Sequence, residues 1–243
     1  MNCILFDEPP PFKLDENDPR LAHVLDCLKI PEGGEVFAGK VNSFMCVARI
    51  RYLRGAGALL EPIRPLPDPR PKNLTLCAAF ARPQIAQRIL FECSCFGVKN
   101  VVFYAAQKGD ASYLKSGLYE SGKYAEWLLK GAQQACASSV PKFFRADSLE
   151  ECLKTAAELE PEEIPPMRIA PDVYEAETDM KKEAEKFSAG NFHATIAIGG
   201  ERGFGASERD VLRSRGYSLA SFGPRVLRTD TAAIAALSLF ACA

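Results

Sequence analysis

Two stretches near the carboxyl end decide the fold: Ala194-Thr-Ile-Ala-Ile-Gly-Gly-Glu-Arg-Gly-Phe-Gly205 and Tyr217-Ser-Leu-Ala-Ser-Phe-Gly-Pro-Arg-Val-Leu-Arg-Thr-Asp-Thr231. Each begins with a short apolar run that predicts a buried strand, and each strand runs into a glycine turn. Because glycine has no Cβ, backbone N–H and C=O groups at such a turn are open to a small ligand. The pair of turns therefore indicates a ligand site, although a plain strand-to-helix connection explains either turn by itself.

One helix is predicted between the two stretches and another after them. Ser207, with Asp210 three residues later, is typical of a helix N-cap with an acidic partner, and Gly216 suits the end of that helix. The alanine-rich segment after Thr231 predicts a closing helix that runs to Ala243.

The composition is that of a globular protein. The chain has 243 residues, of which 47% are hydrophobic and 25% charged, enough for one large domain or for a small and a larger one. Its nine cysteines form no Cys/His cluster of zinc spacing, and the close pair Cys93 and Cys95 is open to a packing or a redox interpretation. No signal peptide and no apolar stretch of roughly 20 residues is present. We therefore expect a soluble, cytoplasmic protein without a metal or a membrane partner.

The first 68 residues predict a small all-β domain. One amphipathic helix, Leu21–Leu28, interrupts the strands, and five prolines between Pro62 and Pro71 predict an extended domain linker. The predicted strands, whose short lengths and turns fit a small barrel, are Asn2–Phe6, Glu35–Lys40, Phe44–Arg51 and Gly57–Ile63.

From Lys72 onward, strands and helices alternate, which predicts a mainly parallel sheet covered on both faces. The segment 175–190 is open to two interpretations, a charged helix or an exposed excursion. The other predicted elements before Ala194 are strands at Leu74–Phe80, Asn100–Ala105, Lys142–Arg145 and Pro166–Ala170, and helices at Pro83–Phe96, Leu118–Ser138 and Ser148–Leu159.

The carboxyl-terminal pattern resembles the signature of the RsmE-type 16S rRNA uracil-N3 methyltransferases, a branch of the SPOUT superfamily. That family has an apolar strand, Gly-Pro-Glu-Gly-Gly-Phe, a Ser/Thr-x-x-Glu helix, Gly, a second strand and Leu-Gly-x-Arg-Ile-Leu-Arg-x-Glu-Thr-Ala. The spacing between the two halves is kept here. The matching residues are Gly199, Glu201, Gly203, Phe204, Glu208, Gly216, Gly223, Arg225, Leu227, Arg228, Thr231 and Ala232.

This chain departs from the family pattern at several places. Gly200 replaces a proline, Arg202 a glycine, Phe222 a leucine and Asp230 a glutamate. Upstream, Ala137 stands where the family has an arginine, and the turn Gln107-Lys108-Gly109 replaces one rich in serine and arginine. The last two changes fall where the family is expected to meet its target nucleotide, so they bear on activity.

The resemblance implies an α/β fold class: a SPOUT-type, trefoil-knotted, mainly parallel sheet domain at residues 72–243. It implies a small PUA-like β-barrel, an RNA-binding domain, at residues 1–68. It also implies a homodimer, so the alanines of the closing helix have two interpretations, close approach to a second copy or ordinary internal packing.

The resemblance further implies that the two turns bind S-adenosylmethionine. Their backbone groups would hold the adenine and the ribose, and Leu227 would give apolar cover. The residues expected to bind this cofactor are Gly199, Gly200, Glu201, Gly203, Phe222, Gly223, Val226 and Leu227.

Methylating uracil N3 requires removal of a ring proton and in-line attack on a sulfonium methyl group, for which positioning gives most of the help. Arg228 is the candidate for stabilising charge on the uracil carbonyls, and Arg225 is an alternative that would clamp phosphate. Glu201 and Asp230 are candidates either to accept the proton or to orient an arginine, and the orienting role is preferred.

A net charge of −1 means that affinity for rRNA must come from local groups. The candidates for RNA contact are Arg20, His23, Arg202 and Arg225, although a histidine on a half-apolar helix is more often structural. The expected partner is 16S rRNA or the small ribosomal subunit. Two alternatives stay open, a non-catalytic RNA-binding relative with the same fold and a methyltransferase with another RNA target.

Overall fold

The computed structural model describes residues 2–242, which form two compact units. The first contains the chain as far as Arg70 together with Ala132–Val140, and the second contains Pro71–Gly131 and the chain from Pro141 onward. The domain bounds 1–68 and 72–243 remain our proposal. They place residues 132–140 in the second domain, whereas the compact units place these residues with the first.

The first unit is built on a five-stranded sheet of order β1-β3-β4-β5-β2. Strands β1 and β3 are parallel and the other neighbours are antiparallel. The edge strands meet through Phe6 and Phe12, whose rings stack with centroids 4.6 Å apart over a shared apolar core. This contact nearly closes the sheet into the predicted PUA-like barrel. The strands are β1 Ile4–Phe6, β2 Phe12–Leu14, β3 Glu35–Lys40, β4 Phe44–Leu53 and β5 Gly57–Leu66.

Two features of the barrel differ from the prediction. Strand β2 was not predicted, because a three-residue strand after a proline run has too short a pattern to detect. Pro62 and Pro65 lie inside β5, in a stretch predicted to be linker. They are tolerated because β2 pairs with β5 only as far as Leu60, so beyond it β5 is an edge strand, and because a bulge falls opposite Pro62.

The predicted helix of the barrel unit is shorter and partly irregular. Helix α1 spans Pro19–Ala22, and a π-helical turn at His23–Cys27 follows it. The Asp18 carboxylate caps α1 by accepting from the backbone N–H of Arg20 at 2.8 Å. Along the predicted amphipathic helix Leu21–Leu28, Leu21 and Val24 are buried, whereas Leu25 and Leu28 are each 45% exposed.

The second unit contains a seven-stranded sheet in which every neighbouring pair is parallel, with the order β10-β12-β9-β11-β6-β7-β8. Helices and an apolar core cover it, which confirms the predicted α/β class with a mainly parallel sheet. The strands are β6 Leu74–Ala79, β7 Asn100–Tyr104, β8 Lys142–Ala146, β9 Pro166–Pro171, β10 Thr178–Asp179, β11 His193–Ile198 and β12 Ser218–Ser221.

The helices of this region show two further differences from the prediction. The long helix predicted at Leu118–Ser138 is broken at Gly122, whose positive φ of 73° ends one helix before the next begins. The charged segment 175–190 resolves into a helix preceded by a loop and a two-residue strand. The helices are α2 Pro83–Cys95, α3 Gly117–Glu120, α4 Tyr124–Ala135, α5 Leu149–Glu158, α6 Met180–Ala189, α7 Ala206–Ser214 and α8 Thr229–Ala241.

The closing helix α8 packs against α2, α6, β6 and β11 of its own unit. Ala233 and Ala236 are fully buried there, so internal packing accounts for these two alanines. The last predicted residue of the helix, Ala243, lies outside the described residues. Threading of α8 through a knot stays a prediction.

A buried tyrosine ties the central strands together just below the first glycine turn. The Tyr104 hydroxyl donates to the Ile198 carbonyl oxygen at 3.0 Å, and burial raises the pKa of Tyr104 well above its ordinary value. We expect Tyr104→Phe to lower the free energy of unfolding by about 1 kcal/mol, because a buried carbonyl loses its donor. Urea denaturation measures this change, and an unchanged midpoint would show that water or another donor replaces the hydroxyl.

Over residues 2–242, the structure has no helix long and apolar enough to cross a membrane.

Candidate functional site

Both glycine turns line one cleft of about 190 Å³. The turns directly follow β11 and β12, and a third segment, Asp172–Tyr174, directly follows β9, which lies between these two strands. Because parallel strands end at the same edge of a sheet, the three segments meet there. We call this the glycine cleft; its lining residues are Pro171 to Tyr174, Ile198 to Phe204, Phe222, Arg225 to Leu227, Thr229 and Ala232.

The first turn is fixed by local hydrogen bonds and by one buried side chain. Gly203 donates its N–H to the Gly200 carbonyl at 2.9 Å and has a φ of +64°, a conformation that favours glycine. Phe204 is 2% exposed and packs into the core, which anchors the turn. A Cβ at Gly200 would sit at ordinary contact distance, 3.5 Å from Ala106, so this position has room for the Cβ of the family's proline as well as for glycine.

Glu208 holds the first turn from behind. Its carboxylate accepts from the backbone N–H of Gly205 at 2.8 Å and from that of Gln107 at 3.0 Å. Helix α7 therefore begins at Ala206 with Gly205 as its N-cap. The predicted cap at Ser207 with Asp210 is wrong: the helix begins two residues earlier, and Glu208, not Asp210, is the acidic residue that accepts from the backbone N–H of the N-cap.

The second turn is stabilised by Ser221, whose Oγ accepts from the Gly223 N–H at 2.9 Å. Gly223 has a φ of +107° and supports the turn from just outside the lining of the cleft. Phe222 and Leu227 are half-buried in the wall, whereas Val226 is 71% exposed at the rim.

The third segment was not predicted as part of the site. Asp172 accepts from the backbone N–H groups of Tyr174 and Glu175 at 2.7 and 2.8 Å, and from the Arg209 Nε at 2.8 Å. Arg209 is 8% exposed, and its guanidinium lies 5.5 Å from the Tyr174 ring centroid. This buried ion pair sets the position of one wall of the cleft. An Asp directly after a β-strand was the signal that could have found it.

A second pocket of about 200 Å³ adjoins the glycine cleft and shares Glu201 and Thr229 with it. We call it the arginine pocket. Two of its residues, Arg82 and Ile85, come from the start of α2 and were not predicted. Its lining residues are Arg82, Ile85, Glu201, Arg228, Thr229 and Asp230.

The structure brings the three predicted catalytic residues together in the arginine pocket. Asp230 is 3% exposed, and its Oδ2 accepts a hydrogen bond from the Arg88 Nη1 at 3.2 Å. The Arg228 Nε lies 3.8 Å from the Asp230 Oδ1. Glu201 lies 3.5 Å from the Arg82 Nε. Both carboxylates therefore lie beside arginines, the arrangement expected for an orienting role. The Arg228 side chain is 76% exposed.

The predicted RNA-contacting residues fall in both units. Arg202 and Arg225 are exposed and line the glycine cleft. In the barrel unit, Arg20 is bound internally, because its guanidinium donates to the Asp18 carboxylate and to the Leu5 carbonyl and lies 4.7 Å from the Phe6 ring centroid. His23 is half-buried. An RNA role for these four residues stays a prediction.

The glycine cleft fits a nucleoside-like ligand. Apolar walls at Phe222 and Leu227 face a turn of glycine backbone, and in the described part of the chain no heavy atom lies within 4 Å of where a Cβ at Gly203 would project. Such a mixture of apolar surface and open backbone polar groups suits an adenine ring and its ribose.

Comparisons with known proteins agree with this geometry. The chain is 29% identical to the ribosomal RNA small subunit methyltransferase E of Treponema pallidum, over 98% of this chain and 90% of that protein. It is 26% identical to the ribosomal RNA small subunit methyltransferase E 1 of Borreliella burgdorferi, over 90% and 88%. Its fold matches the crystal structure of ribosomal RNA small subunit methyltransferase E from Neisseria gonorrhoeae bound to S-adenosyl methionine, with a TM-score of 0.76, 18% identity, and coverage of 98% and 95%.

A family model described as an RNA methyltransferase domain matches residues 68–241. This range covers more than half of the chain and contains all three segments that line the glycine cleft. The chain therefore belongs to the RNA methyltransferase domain family.

Proposed function

We propose that this protein transfers a methyl group from S-adenosylmethionine to N3 of a uracil in 16S rRNA of the small ribosomal subunit. The observation that carries the proposal is the meeting of both glycine turns in one cleft that fits a nucleoside. The curated relatives are named as small subunit rRNA methyltransferases, which supports rRNA as the substrate.

The cofactor would be held by the backbone of Gly199 to Gly203 and by the apolar side chains of Phe222, Val226 and Leu227. When bound, it supplies an electrophilic methyl group on a positively charged sulfur. The protein excludes water from this group through the wall that Asp172 and Arg209 hold in place.

Arg228 is the residue we assign to the uracil. Loss of the N3 proton leaves negative charge on the flanking carbonyl oxygens, and a guanidinium fixed beside them stabilises that charge. Asp230 and Glu201 act as orienting residues, since Asp230 contacts Arg88 and Arg228 and Glu201 contacts Arg82. Arg225, at the rim of the cleft, is the candidate for a phosphate clamp.

Cofactor binding is the first test. We expect S-adenosylmethionine to bind the wild-type protein in isothermal titration calorimetry, and Leu227→Ala to weaken binding by about five- to tenfold through lost apolar contact. Leu59→Ala, a half-buried leucine of the barrel unit, is the matched control and should bind as the wild type does. An absence of heat from the wild-type protein would remove the cofactor assignment.

The substrate assignment has its own test. Mass spectrometry of rRNA from a strain that lacks the gene should show loss of one N3-methyluridine from 16S rRNA, and expression of the wild-type protein should restore it. Loss of a methyl group from another RNA would replace the proposed target with that one.

A non-catalytic RNA-binding relative is the second candidate. Ala137, which stands where the family has an arginine, is 6% exposed, so this position offers no cation to a nucleotide. The changes at Gly200, Arg202 and Asp230 motivate the same candidate. Unaltered rRNA methylation in the deletion strain, together with rRNA binding by the purified protein, would favour it.

A homodimer and a knotted carboxyl end complete the proposal. Tyr174 and Val226 are 74% and 71% exposed at the rim of the glycine cleft, an apolar exposure that a second copy would cover. Sedimentation equilibrium should give twice the mass of the chain, and a monomer at micromolar concentration would remove the dimer from the proposal.

A further inference from the structure

Two buried polar atoms in the arginine pocket have no hydrogen-bond partner within residues 2–242. They are Thr229 Oγ1, in a residue that is 7% exposed, and Asp230 Oδ1, in a residue that is 3% exposed. Nearly all buried polar atoms in folded proteins are hydrogen-bonded, because an unpaired one costs free energy. Both residues line the pocket, so a ligand there would supply the missing partners.

Two carboxylates, Glu201 and Asp230, also line the pocket, but the two arginines carry its most exposed charges, which suits an anionic ligand. Arg82 and Arg228 line the pocket with side chains that are 66% and 76% exposed. Thr229 is the first residue of α8, a helix of 13 residues, so the positive end of the helix dipole also faces this region. A phosphate group can pair with the Arg82 guanidinium, while Arg228 is left to donate to a carbonyl oxygen of the base.

The pocket is also in the right place for a second substrate. It shares Glu201 and Thr229 with the glycine cleft, so a molecule in one pocket lies next to a molecule in the other. Ile85 gives it one apolar wall, as a flat base requires.

We propose that the arginine pocket receives the target nucleotide, with its base edge facing Thr229 Oγ1 and Asp230 Oδ1, a base carbonyl beside Arg228 and its phosphate at Arg82. This inference rests on the function proposed above and adds the site of the RNA substrate to it.

The residues of the pocket explain a preference for uracil over cytosine. An ionised carboxylate only accepts hydrogen bonds, and uracil presents N3–H, a donor, between two carbonyl groups. Cytosine has no hydrogen on N3 and would place an acceptor against the carboxylate. Asp230 therefore faces the atom that becomes methylated, and Arg88, 3.2 Å from its other oxygen, fixes the carboxylate.

The contact between Asp230 and N3 also gives the N3 proton an acceptor. Once N3 has lost its proton, the electron pair left on N3 would form the bond to the methyl carbon of a bound S-adenosylmethionine, and the sulfonium sulfur would keep the electron pair of the carbon–sulfur bond that breaks. The N3 proton goes to Asp230, which accepts it in addition to orienting Arg228, and passes from there to water.

The test uses protein saturated with S-adenosylhomocysteine, so that the glycine cleft is filled and no reaction takes place. Binding of uridine 5′-monophosphate and cytidine 5′-monophosphate is measured by saturation-transfer difference NMR. We expect the uridine nucleotide to bind more tightly, and Thr229→Val and Arg82→Ala each to weaken it about three- to tenfold. Asp230→Asn should abolish the preference for uridine. Lys181→Ala, which removes a cation that is 77% exposed on α6, is the matched control and should bind as the wild type does.

The outcomes separate this proposal from the function on which it rests. Equal affinity for the two nucleotides, no binding of either, or no effect of Thr229→Val would overturn the nucleotide site while leaving cofactor binding intact. If Thr229→Val and Arg82→Ala instead weaken S-adenosylhomocysteine, the pocket holds the amino-acid part of the cofactor and the proposal is wrong. A wild-type protein that fails to bind S-adenosylhomocysteine would remove the proposed function itself.

Discussion

Arg228→Ala is expected to slow methyl transfer by about 10²–10³-fold, the usual cost of removing a fixed donor from developing negative charge. The fold should be unaffected, because the side chain is 76% exposed and Asp230 keeps its contact with Arg88. Single-turnover methylation of 16S rRNA with saturating cofactor measures the rate, and circular dichroism checks the fold.

Two other variants make this prediction specific to Arg228. Arg228→Lys should recover only part of the rate, since an ammonium group lacks the planar, bidentate geometry of a guanidinium. Arg225→Ala should raise the rRNA concentration needed for half-maximal rate and leave the single-turnover rate at saturation close to that of the wild type. The reverse pattern would exchange the two roles, and an unchanged rate for Arg228→Ala would remove this residue from the mechanism.

Most of the sheet in the second unit could be predicted because its central strands β6, β7 and β11 are buried and largely apolar and are bounded by turns. Strand β11, all six residues of which are buried, is an example. Elements that depend on tertiary contacts could not be predicted. Strand β2 has three residues and is held by its pairing with β5 and by the Phe6–Phe12 stack, neither of which leaves a local pattern. The break at Gly122 is a similar case, because glycine is tolerated in many helices.

The candidate site was predictable only where its residues are contiguous. Both glycine turns are local features, and the structure places them in one cleft. Arg82 and Arg88 lie at the start of α2 and within it, more than a hundred positions before Glu201 and Asp230. Only the folded structure brings Arg82 to Glu201 and Arg88 to Asp230. The cleft wall at Asp172 was missed for the same reason, since Asp172 follows β9 and its partner Arg209 lies on α7.

The buried ion pair between Asp172 and Arg209 gives the largest expected effect on stability. Asp172→Ala should lower the free energy of unfolding by about 3–5 kcal/mol, because Arg209 is then left buried without its main counter-charge. The Asp172 carboxylate also accepts from the backbone N–H groups of Tyr174 and Glu175. Without these bonds the wall of the glycine cleft should loosen, and cofactor affinity should fall. Urea denaturation and calorimetry with S-adenosylmethionine measure the two effects.

The neighbouring Arg213 offers a matched control. It contacts Glu175 and Glu177 at 2.7 and 3.2 Å, but its side chain is 36% exposed, so Arg213→Ala should lower the free energy of unfolding far less than Asp172→Ala does. Asp172→Asn separates charge from hydrogen bonding, because an amide oxygen can still accept from the backbone N–H groups. If that variant keeps cofactor affinity while losing stability, the backbone bonds position the wall and the ion pair supplies the stability. Equal losses in the Asp172→Ala and Arg213→Ala variants would mean that burial of the Asp172–Arg209 pair is not what stabilises this wall.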